Sequence, residues 1–417
     1  MLQLFKKILL HEQIQKLSIY GFGQLFNLVT PLLVVPYIVS ICGEENFGKT
    51  AVGMAICFFL IVFVDFGSDI IGVREVSVNR ENESKLNEIF STTYAVKGIV
   101  LLLVLLIVSA LFFIIPFFSS DKKLLFFSLL VVIGQFINPT WFLQGIENVK
   151  LITFLNVVSK TIYLLGVFLT IAKESDYVYV NLWWGLGMII SNSIVFFIIL
   201  KKYKLHFNNV NKSEIYSHLK NNFSIFYSQI FVSIHQYGPV ILISFFGNNL
   251  LAGQYRIVDQ VIAIFKTYII LFFNFVYPKV CFLIDENRKS GLKHWLIYNG
   301  INLVFVFIGM IIFFVFSYEI ISYFNPTNRY VLSNLLQIAV FIPLIFAVSN
   351  ALKQLILAFD LKKEYISITI ITVVLNIFTI IAILPIYKVY GVFYTLIATD
   401  IIIIFFYIFK LKKLLYK

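Results

Sequence analysis

The chain has 417 residues, of which 60% are hydrophobic and only 13% are charged, with a net charge of +12 and a mean hydropathy of +0.92. Soluble globular proteins contain about 45–50% apolar and about 25% charged residues, so this composition excludes a soluble enzyme, a disordered chain and a nucleic-acid-binding domain. Apolar runs of span length recur along the sequence, which predicts an all-α polytopic membrane protein.

Residues 1–16 place Lys6 and Lys7 among apolar and polar residues, which predicts an amphipathic segment at the inner membrane interface. We expect no cleavable signal peptide, because polar residues interrupt the apolar region that a signal needs and the next apolar run is too long. The three cysteines, Cys42, Cys57 and Cys281, are odd in number and widely spaced, so they predict neither a disulfide framework nor a metal site.

Twelve apolar segments of span length follow in chain order. The sequence predicts transmembrane helices over 17–41, 50–72, 89–115, 124–143, 151–172, 178–200, 223–246, 252–278, 295–317, 331–357, 365–384 and 391–409. The chain length agrees, since it allows about 35 residues for each span with its loop.

A faint internal repeat divides the chain near its middle. The sequences "LSIYGF" from Leu17 and "FSIFYS" from Phe223 each open a span that ends in a short glycine-containing loop. Six spans intervene, so both halves have the same orientation, as in parallel transporter repeats. The repeat predicts two pseudo-symmetric six-helix bundles, 17–200 and 223–409. A cytoplasmic linker, 201–222, joins them, and a basic tail, 410–417, follows.

The distribution of basic residues predicts the topology. With the first residues inside, the inner loops hold 22 Lys and Arg residues and the outer loops hold 6. Cytoplasmic loops carry such an excess, so both termini are predicted to be cytoplasmic. The longest predicted outer loop, 318–330, has only 13 residues and leaves no room for an external domain.

One segment matches a nucleotide-binding motif in sequence but lacks the surrounding features of such a site. Residues 43–50 match GxxxxGK[ST], the pattern of a phosphate-binding loop. However, a span-length apolar run precedes the motif instead of a strand, and Glu44 and Glu45 would repel a nucleotide. The sequence therefore predicts no nucleotide binding and no ATPase, and it shows no catalytic constellation.

Charged residues inside the predicted spans are the candidate functional residues, because each costs about 2.5–3.5 kcal/mol at mid-span. The candidate cations are Lys97, Lys160, Arg256, Lys266 and Lys353, and the candidate anions are Asp65, Asp69, Asp259 and Asp400. Lys353 and Asp69 lie near inner span ends, where a side chain that extends to the interface is an alternative interpretation.

The eighth predicted span carries the densest set of charges. At about 100° per residue, Arg256, Asp259 and Lys266 share one helix face, and this face should avoid lipid. One interpretation is a set of ion pairs that holds the bundle together. The other is an anion site, because two cations to one anion leave a positive excess.

The other charged residues inside the predicted spans differ in the partners that we expect for them. Asp65 and Lys97 lie at similar depth on consecutive spans, so we expect them to pair. Lys160 has no acidic residue on its own helix and is predicted to face the lumen. Asp400 interrupts an apolar run in the last span and needs a partner from another helix.

Sequence blocks along essentially the whole chain resemble one family. They include "EENFGKTAVGMAI" from Glu44, "FVDFGSDIIGVREVSVNR" from Phe63, "NPTWFLQGIENVK" from Asn138 and "NALKQLILAFDLKKEY" from Asn350. These blocks resemble the bacterial O-antigen and polysaccharide flippases of the multidrug/oligosaccharidyl-lipid/polysaccharide (MOP) exporter superfamily. The resembling proteins have "FQG" or close variants where this chain has Leu143-Gln144-Gly145.

The resemblance implies a MATE-like fold, with two six-helix bundles around a central cavity. It also implies a transporter and not an enzyme, which moves undecaprenyl-pyrophosphate-linked O-antigen repeat units from the cytoplasmic to the periplasmic leaflet by alternating access. A proton or sodium gradient would supply the energy, without another cofactor. Membrane lipids, an O-antigen polymerase and a chain-length regulator are the expected partners.

The resemblance also gives the candidate residues their roles. The substrate would be anionic at its pyrophosphate, so the five cations are candidate substrate-binding residues and the four aspartates are candidate coupling or ion-pair residues. Two alternatives remain. A membrane-embedded polymerase or glycosyltransferase is disfavoured by the short outer loops, and a drug/cation antiporter by five span cations against four anions. The sugar composition and the coupling ion are not predicted.

Overall fold

The computed structural model describes the backbone of residues 2–118, 121–207 and 210–415, and the side chains of residues 19, 21–118, 121–207 and 210–412. Within these ranges the chain is helical and contains no strand. The α-helices are α1 Leu2–Asp65, α2 Val73–Val78, α3 Glu83–Ile114, α4 Lys122–Ile137, α5 Thr140–Gly145, α6 Val149–Thr170, α7 Val180–Lys202, α8 Lys212–Phe246, α9 Asn249–Glu286, α10 Arg288–Val315, α11 Ser317–Tyr323, α12 Arg329–Ala339, α13 Phe341–Ala358 and α14 Lys362–Leu415.

Ten helical segments of the described chain are long and apolar enough to cross a membrane. Two of them, Gly21–Asp65 and Lys362–Lys412, have 45 and 51 residues, whereas one crossing takes about 20. Each contains one non-helical residue, Gly43 (φ 79°) in α1 and Lys388 (φ 51°) in α14. Each therefore provides two crossings, and the predicted total of twelve spans is confirmed.

The end of the second span differs from the prediction. The α-helix ends at Asp65 instead of residue 72, and a π-helical turn, Ser68–Gly72, follows. Gly67 has a φ of +79°, a conformation that glycine adopts without the steric penalty of a side chain. This residue therefore separates α1 from the turn, and it places Asp69 beyond the end of the transmembrane helix.

The contacts of the chain define two compact units. Unit 1 contains Met1–Val34 and Val52–Ser233, and unit 2 contains Val35–Ala51 and Ile234–Lys417. Residues 35–51 thus belong to the unit that holds the C-terminal half, while the first part of α8 belongs to unit 1. The predicted domain limits of 17–200 and 223–409 do not include this assignment of residues 35–51 and of the first part of α8. They stay a prediction.

A cluster of aromatic residues lies in the core of unit 1. Phe90 and Tyr94 of α3 contact Trp141 of α5, and Phe142 is fully buried beside them. Gly145 ends α5 against Val76, where a Cβ would lie 2.6 Å from the valine side chain. Trp141, Phe142 and Leu143 of the block from Asn138 therefore lie in a packed core, while Gln144, Glu147 and Lys150 of the same block are exposed.

The segment that mimics a nucleotide-binding loop is helical after Gly43 and packs within unit 2. A Cβ at Gly48 would lie 1.9 Å from the carbonyl oxygen of Asn249, and a Cβ at Gly253 would lie 2.0 Å from that of Glu44. The buried Glu44 carboxylate accepts hydrogen bonds from the Gln254 side chain and a backbone N–H of the segment before α12. The glycine of the motif thus serves a close helix crossing.

Candidate functional site

A buried ion pair joins two helices of unit 1. The Lys97 ammonium of α3 lies 2.9 Å from Asp65 Oδ1 at the end of α1, and the two side chains are 1% and 12% exposed. Gln135 of α4 donates a hydrogen bond to the other Asp65 oxygen at 2.9 Å. The expected pairing of Asp65 with Lys97 is therefore present, with one carboxylate opposite the buried ammonium.

Asp69 lies close to this pair but has a different partner. Gln229 of α8 donates a hydrogen bond to Asp69 Oδ2 at 2.7 Å. Desolvation by the surrounding protein and the neighbouring negative charge of Asp65 raise the pKa of Asp69. Asp69 therefore belongs to a polar contact between the π-helical turn and the first part of α8.

Lys160 rests on an aromatic ring. Its ammonium lies 3.2 Å from the centroid of the Trp184 ring, which α7 places beside α6. Among the described residues, no carboxylate forms an ion pair with Lys160. The structure thus places Lys160 between helices of unit 1 with its positive charge uncompensated by an acid.

The densest charged cluster lies on α9 in unit 2. Arg256 Nη1 lies 2.6 Å from Asp259 Oδ2, and Lys266 Nζ lies 3.1 Å from Asp259 Oδ1. Each carboxylate oxygen therefore holds one cation, and the three side chains share the face that the helical period predicted. Arg256 and Lys266 remain 36% and 29% exposed, against 14% for Asp259, and these three side chains comprise two cations and one carboxylate.

Two titratable residues on other helices of unit 2 face this cluster. His235 of α8 and Asp400 of α14 both interact electrostatically with Lys266. Asp400 is 6% exposed, and no hydrogen bond or ion pair to it is found in the described part of the chain. The Nδ1 atom of His235 is buried and has no hydrogen-bond partner among the described residues.

Lys353 of α13 has aromatic neighbours on two other helices. Its ammonium lies 5.4 Å from the ring of Phe273 on α9 and 5.0 Å from that of Tyr365 on α14. The described residues provide no carboxylate within ion-pair distance. The five candidate cations thus fall into three groups: one compensated pair, two cations that share one carboxylate, and two lysines on aromatic rings.

Sequence reasoning did not predict the contact of Trp184 with Lys160 or that of His235 with Lys266. A helical period assigns residues to a face of their own helix, whereas both contacts depend on how a neighbouring helix is rotated. Trp184 lies on α7 and meets a lysine of α6, and His235 lies on α8 and faces a lysine of α9. The only sequence signal for these contacts is that Trp184 and His235 each place a ring nitrogen inside an apolar span.

Comparison with protein families identifies the chain. A family model described as "Polysaccharide biosynthesis protein" matches residues 14–280, more than half of the sequence. The chain belongs to this polysaccharide biosynthesis family. The matched region contains the Asp65–Lys97 pair, the Lys160–Trp184 contact and the cluster on α9, whereas Lys353 and Asp400 lie outside it.

Two curated relatives of this family member carry the name "Putative O-antigen transporter". The one from Escherichia coli (strain K12) is 22% identical over 271 residues, which cover 64% of each chain. The one from Shigella dysenteriae is 23% identical over 285 residues, 68% of this chain and 72% of the relative. The match thus spans slightly less than two thirds of the Escherichia coli protein.

Solved structures confirm the fold class. The lipid II flippase MurJ in an inward closed conformation has a TM-score of 0.70 at 19% identity and covers 94% of this chain and 87% of its own. An inward-facing multidrug resistance MATE family transporter of the MOP superfamily has a TM-score of 0.69 at 13% identity and covers 97% and 99%. This family member is therefore a multi-pass membrane protein with the predicted MATE-like fold.

Proposed function

We propose that the protein moves an undecaprenyl-pyrophosphate-linked oligosaccharide from the cytoplasmic to the periplasmic leaflet of the bacterial inner membrane by alternating access. The polysaccharide biosynthesis family and the relatives named as O-antigen transporters support this proposal. The observation that carries it is the net positive cluster of Arg256, Asp259 and Lys266.

The chemistry of the cluster suits a pyrophosphate. An anion that leaves water for a low-dielectric region loses its hydration, and fixed cations offset that loss. Asp259 accepts one bond from each cation, which leaves Arg256 and Lys266 with further N–H donors for phosphate oxygens. Asp259 therefore keeps the two cations side by side, and their combined charge exceeds its own.

The energy source in this proposal is a proton or sodium gradient. Asp400 is the strongest coupling candidate among the four aspartates, because it is buried without a hydrogen bond among the described residues and faces Lys266. Asp65 and Asp259 already hold cations, and Asp69 accepts a bond from Gln229. Membrane lipids, an O-antigen polymerase and a chain-length regulator are the proposed partners.

A drug/cation antiporter is the alternative that shares this fold, and a membrane-embedded polymerase or glycosyltransferase is the enzymatic one. The charge of the α9 cluster disfavours the antiporter, because an excess of positive charge repels a cationic drug. The polymerase or glycosyltransferase is disfavoured by the short outer loops.

A deletion strain that lacks this protein tests the proposal. We expect Arg256→Ala, Lys266→Ala and Lys160→Ala to reduce surface polysaccharide strongly while protein level in the membrane stays near wild type. Exchange of Lys266 for Arg should retain part of the activity, since the charge remains. Lys362→Ala, which removes a cation paired with the exposed Asp360, is the matched control. Full complementation by all three alanine variants would contradict the proposal.

A further inference from the structure

The contact between Lys160 and Trp184 differs from every other lysine contact inside the described spans. Its distance of 3.2 Å to the ring centroid places the ammonium directly on the indole face, whereas Lys353 lies at least 5.0 Å from its two rings. The face of an aromatic ring is its electron-rich side. The ammonium therefore covers the part of Trp184 that attracts positively polarised groups.

Neighbouring rings fix the orientation of Trp184. Tyr163 of α6 and Phe58 of α1 contact it with ring centroids 4.9 and 6.1 Å away and with interplanar angles of 69° and 73°. These angles are far from a parallel stack, so neither ring duplicates the face-on contact of the ammonium. Trp184 thus lies between three helices of unit 1 and is held there by apolar packing.

The adjacent tryptophan has a different environment. Trp183 packs on Gly166 of α6, where a Cβ would lie 2.1 Å from the indole ring, and its Nε1 donates to Thr170 at 2.8 Å. Packing and one hydrogen bond account for Trp183. Trp184 instead holds a lysine that has no carboxylate partner among the described residues, and this lysine can leave without breaking an ion pair.

We propose that Trp184 is the stacking platform for the sugar that is attached directly to the pyrophosphate, and that Lys160 covers this platform until the substrate binds. When the substrate arrives, the Lys160 ammonium moves to a phosphate oxygen and the C–H face of the sugar replaces it on the indole ring. This inference rests on the proposed function, because it assigns two parts of the same substrate to two adjacent side chains.

The ammonium and the sugar present similar polarity to the indole ring. Both the ammonium and the C–H face of a pyranose present positive polarity to the ring, so one replaces the other on the same surface. The long flexible stem of lysine allows its ammonium to move while the backbone of α6 stays in place. Lys97 could not act in this way, since it would have to leave the Asp65 carboxylate at 2.9 Å.

The test compares two synthetic probes that bind to the purified full-length protein in detergent. One probe is a short polyprenyl pyrophosphate, and the other carries one N-acetylhexosamine on the same pyrophosphate. The ratio of their dissociation constants, measured by titration, isolates the contribution of the sugar. In the wild type we expect the sugar-bearing probe to bind about 3- to 10-fold more tightly, as one aromatic contact allows.

Four variants should change the two dissociation constants and their ratio in a pattern that is specific to this inference. Trp184→Leu should bring the ratio to about 1, because the aromatic contact is lost, while Trp184→Phe should retain most of the preference. Lys160→Gln should weaken binding of both probes by a similar factor and leave the ratio intact. Trp183→Phe is the matched control and should leave both constants unchanged. If Trp184→Leu does not purify as a monodisperse protein, Trp184→Met replaces it.

Three results would overturn the inference. They are a wild-type ratio of 1, a ratio that survives in the non-aromatic variant, or a ratio that is lost with Lys160→Gln alone. If the wild type binds neither probe, the proposed function itself fails and this inference fails with it. If it binds both probes equally, only the role of Trp184 is wrong.

Discussion

At the scale of single residues, the partner of each buried charge determines what that charge can do. Lys97 is enclosed and faces one carboxylate, whereas Arg256 and Lys266 share one carboxylate and stay partly exposed. A buried ion pair is compatible with a stable fold only while both partners are present. A cation without a carboxylate of its own can bind an additional anion. A lysine inside a span therefore has a carboxylate of its own at Lys97 in unit 1, whereas Lys266 in unit 2 shares one carboxylate with Arg256.

Removal of one member of the Asp65–Lys97 pair should destabilise the protein more than removal of both. We expect Asp65→Asn to lower the free energy of unfolding by about 3–5 kcal/mol, because it leaves Lys97 buried with an uncompensated charge. The double variant Asp65→Asn with Lys97→Met should recover most of that loss. Thermal unfolding of the purified protein in detergent measures both effects. Equal stability of the single variant and the wild type would show that the pair is not essential.

The sequence predicts which residues of one helix share a face, but not what lies opposite that face. The period of α9 correctly places Arg256, Asp259 and Lys266 together, because the geometry of a single helix decides it. The similar depth of Asp65 and Lys97 on neighbouring spans is also sufficient to predict their ion pair. The contact of Lys160 with Trp184 depends on the rotation of α6 relative to α7, which a single sequence does not contain.

At the scale of helices, glycines decide how closely segments approach. The sequence predicts a loop over residues 42–49, between the first two spans, but only Gly43 departs from helical geometry and the residues after it continue as a helix. Composition located the spans because burial in lipid requires apolar residues. It could not locate the helix crossing in unit 2, since this depends on the absence of side chains at Gly48 and Gly253.

This crossing leads to a prediction for the two glycines. We expect Gly48→Ala and Gly253→Ala each to lower the thermal unfolding midpoint and the yield of folded protein, because the new Cβ would overlap a backbone carbonyl oxygen. Gly300→Ala in α10 is the matched control, since no atom lies within 4 Å of its Cβ position. If all three variants unfold at the same temperature, the close crossing is absent from the protein in its membrane.

At the scale of the whole molecule, the charge of the loops predicts the orientation of twelve spans. Single cysteines at Lys212 and Arg288 should react with a thiol reagent only when the reagent reaches the cytoplasm. Cysteines at Lys122 and Asn325 should react from the periplasm, because the positive residues lie mainly in the inner loops. Labelling of intact and permeabilised cells measures this difference in a background without the native cysteines. Periplasmic labelling at Lys212 would contradict the twelve-span topology.

The most direct measurement is translocation by the purified protein in proteoliposomes. A fluorescent undecaprenyl-pyrophosphate-linked oligosaccharide starts in one leaflet, and a membrane-impermeant reagent reports its arrival in the other. We expect translocation to depend on the protein, to fall strongly in the double variant Arg256→Ala with Lys266→Ala, and to persist in Lys362→Ala. If wild-type protein moves no lipid-linked oligosaccharide under any imposed proton or sodium gradient, or if the double variant matches the wild type, the cationic cluster of α9 is not a substrate site.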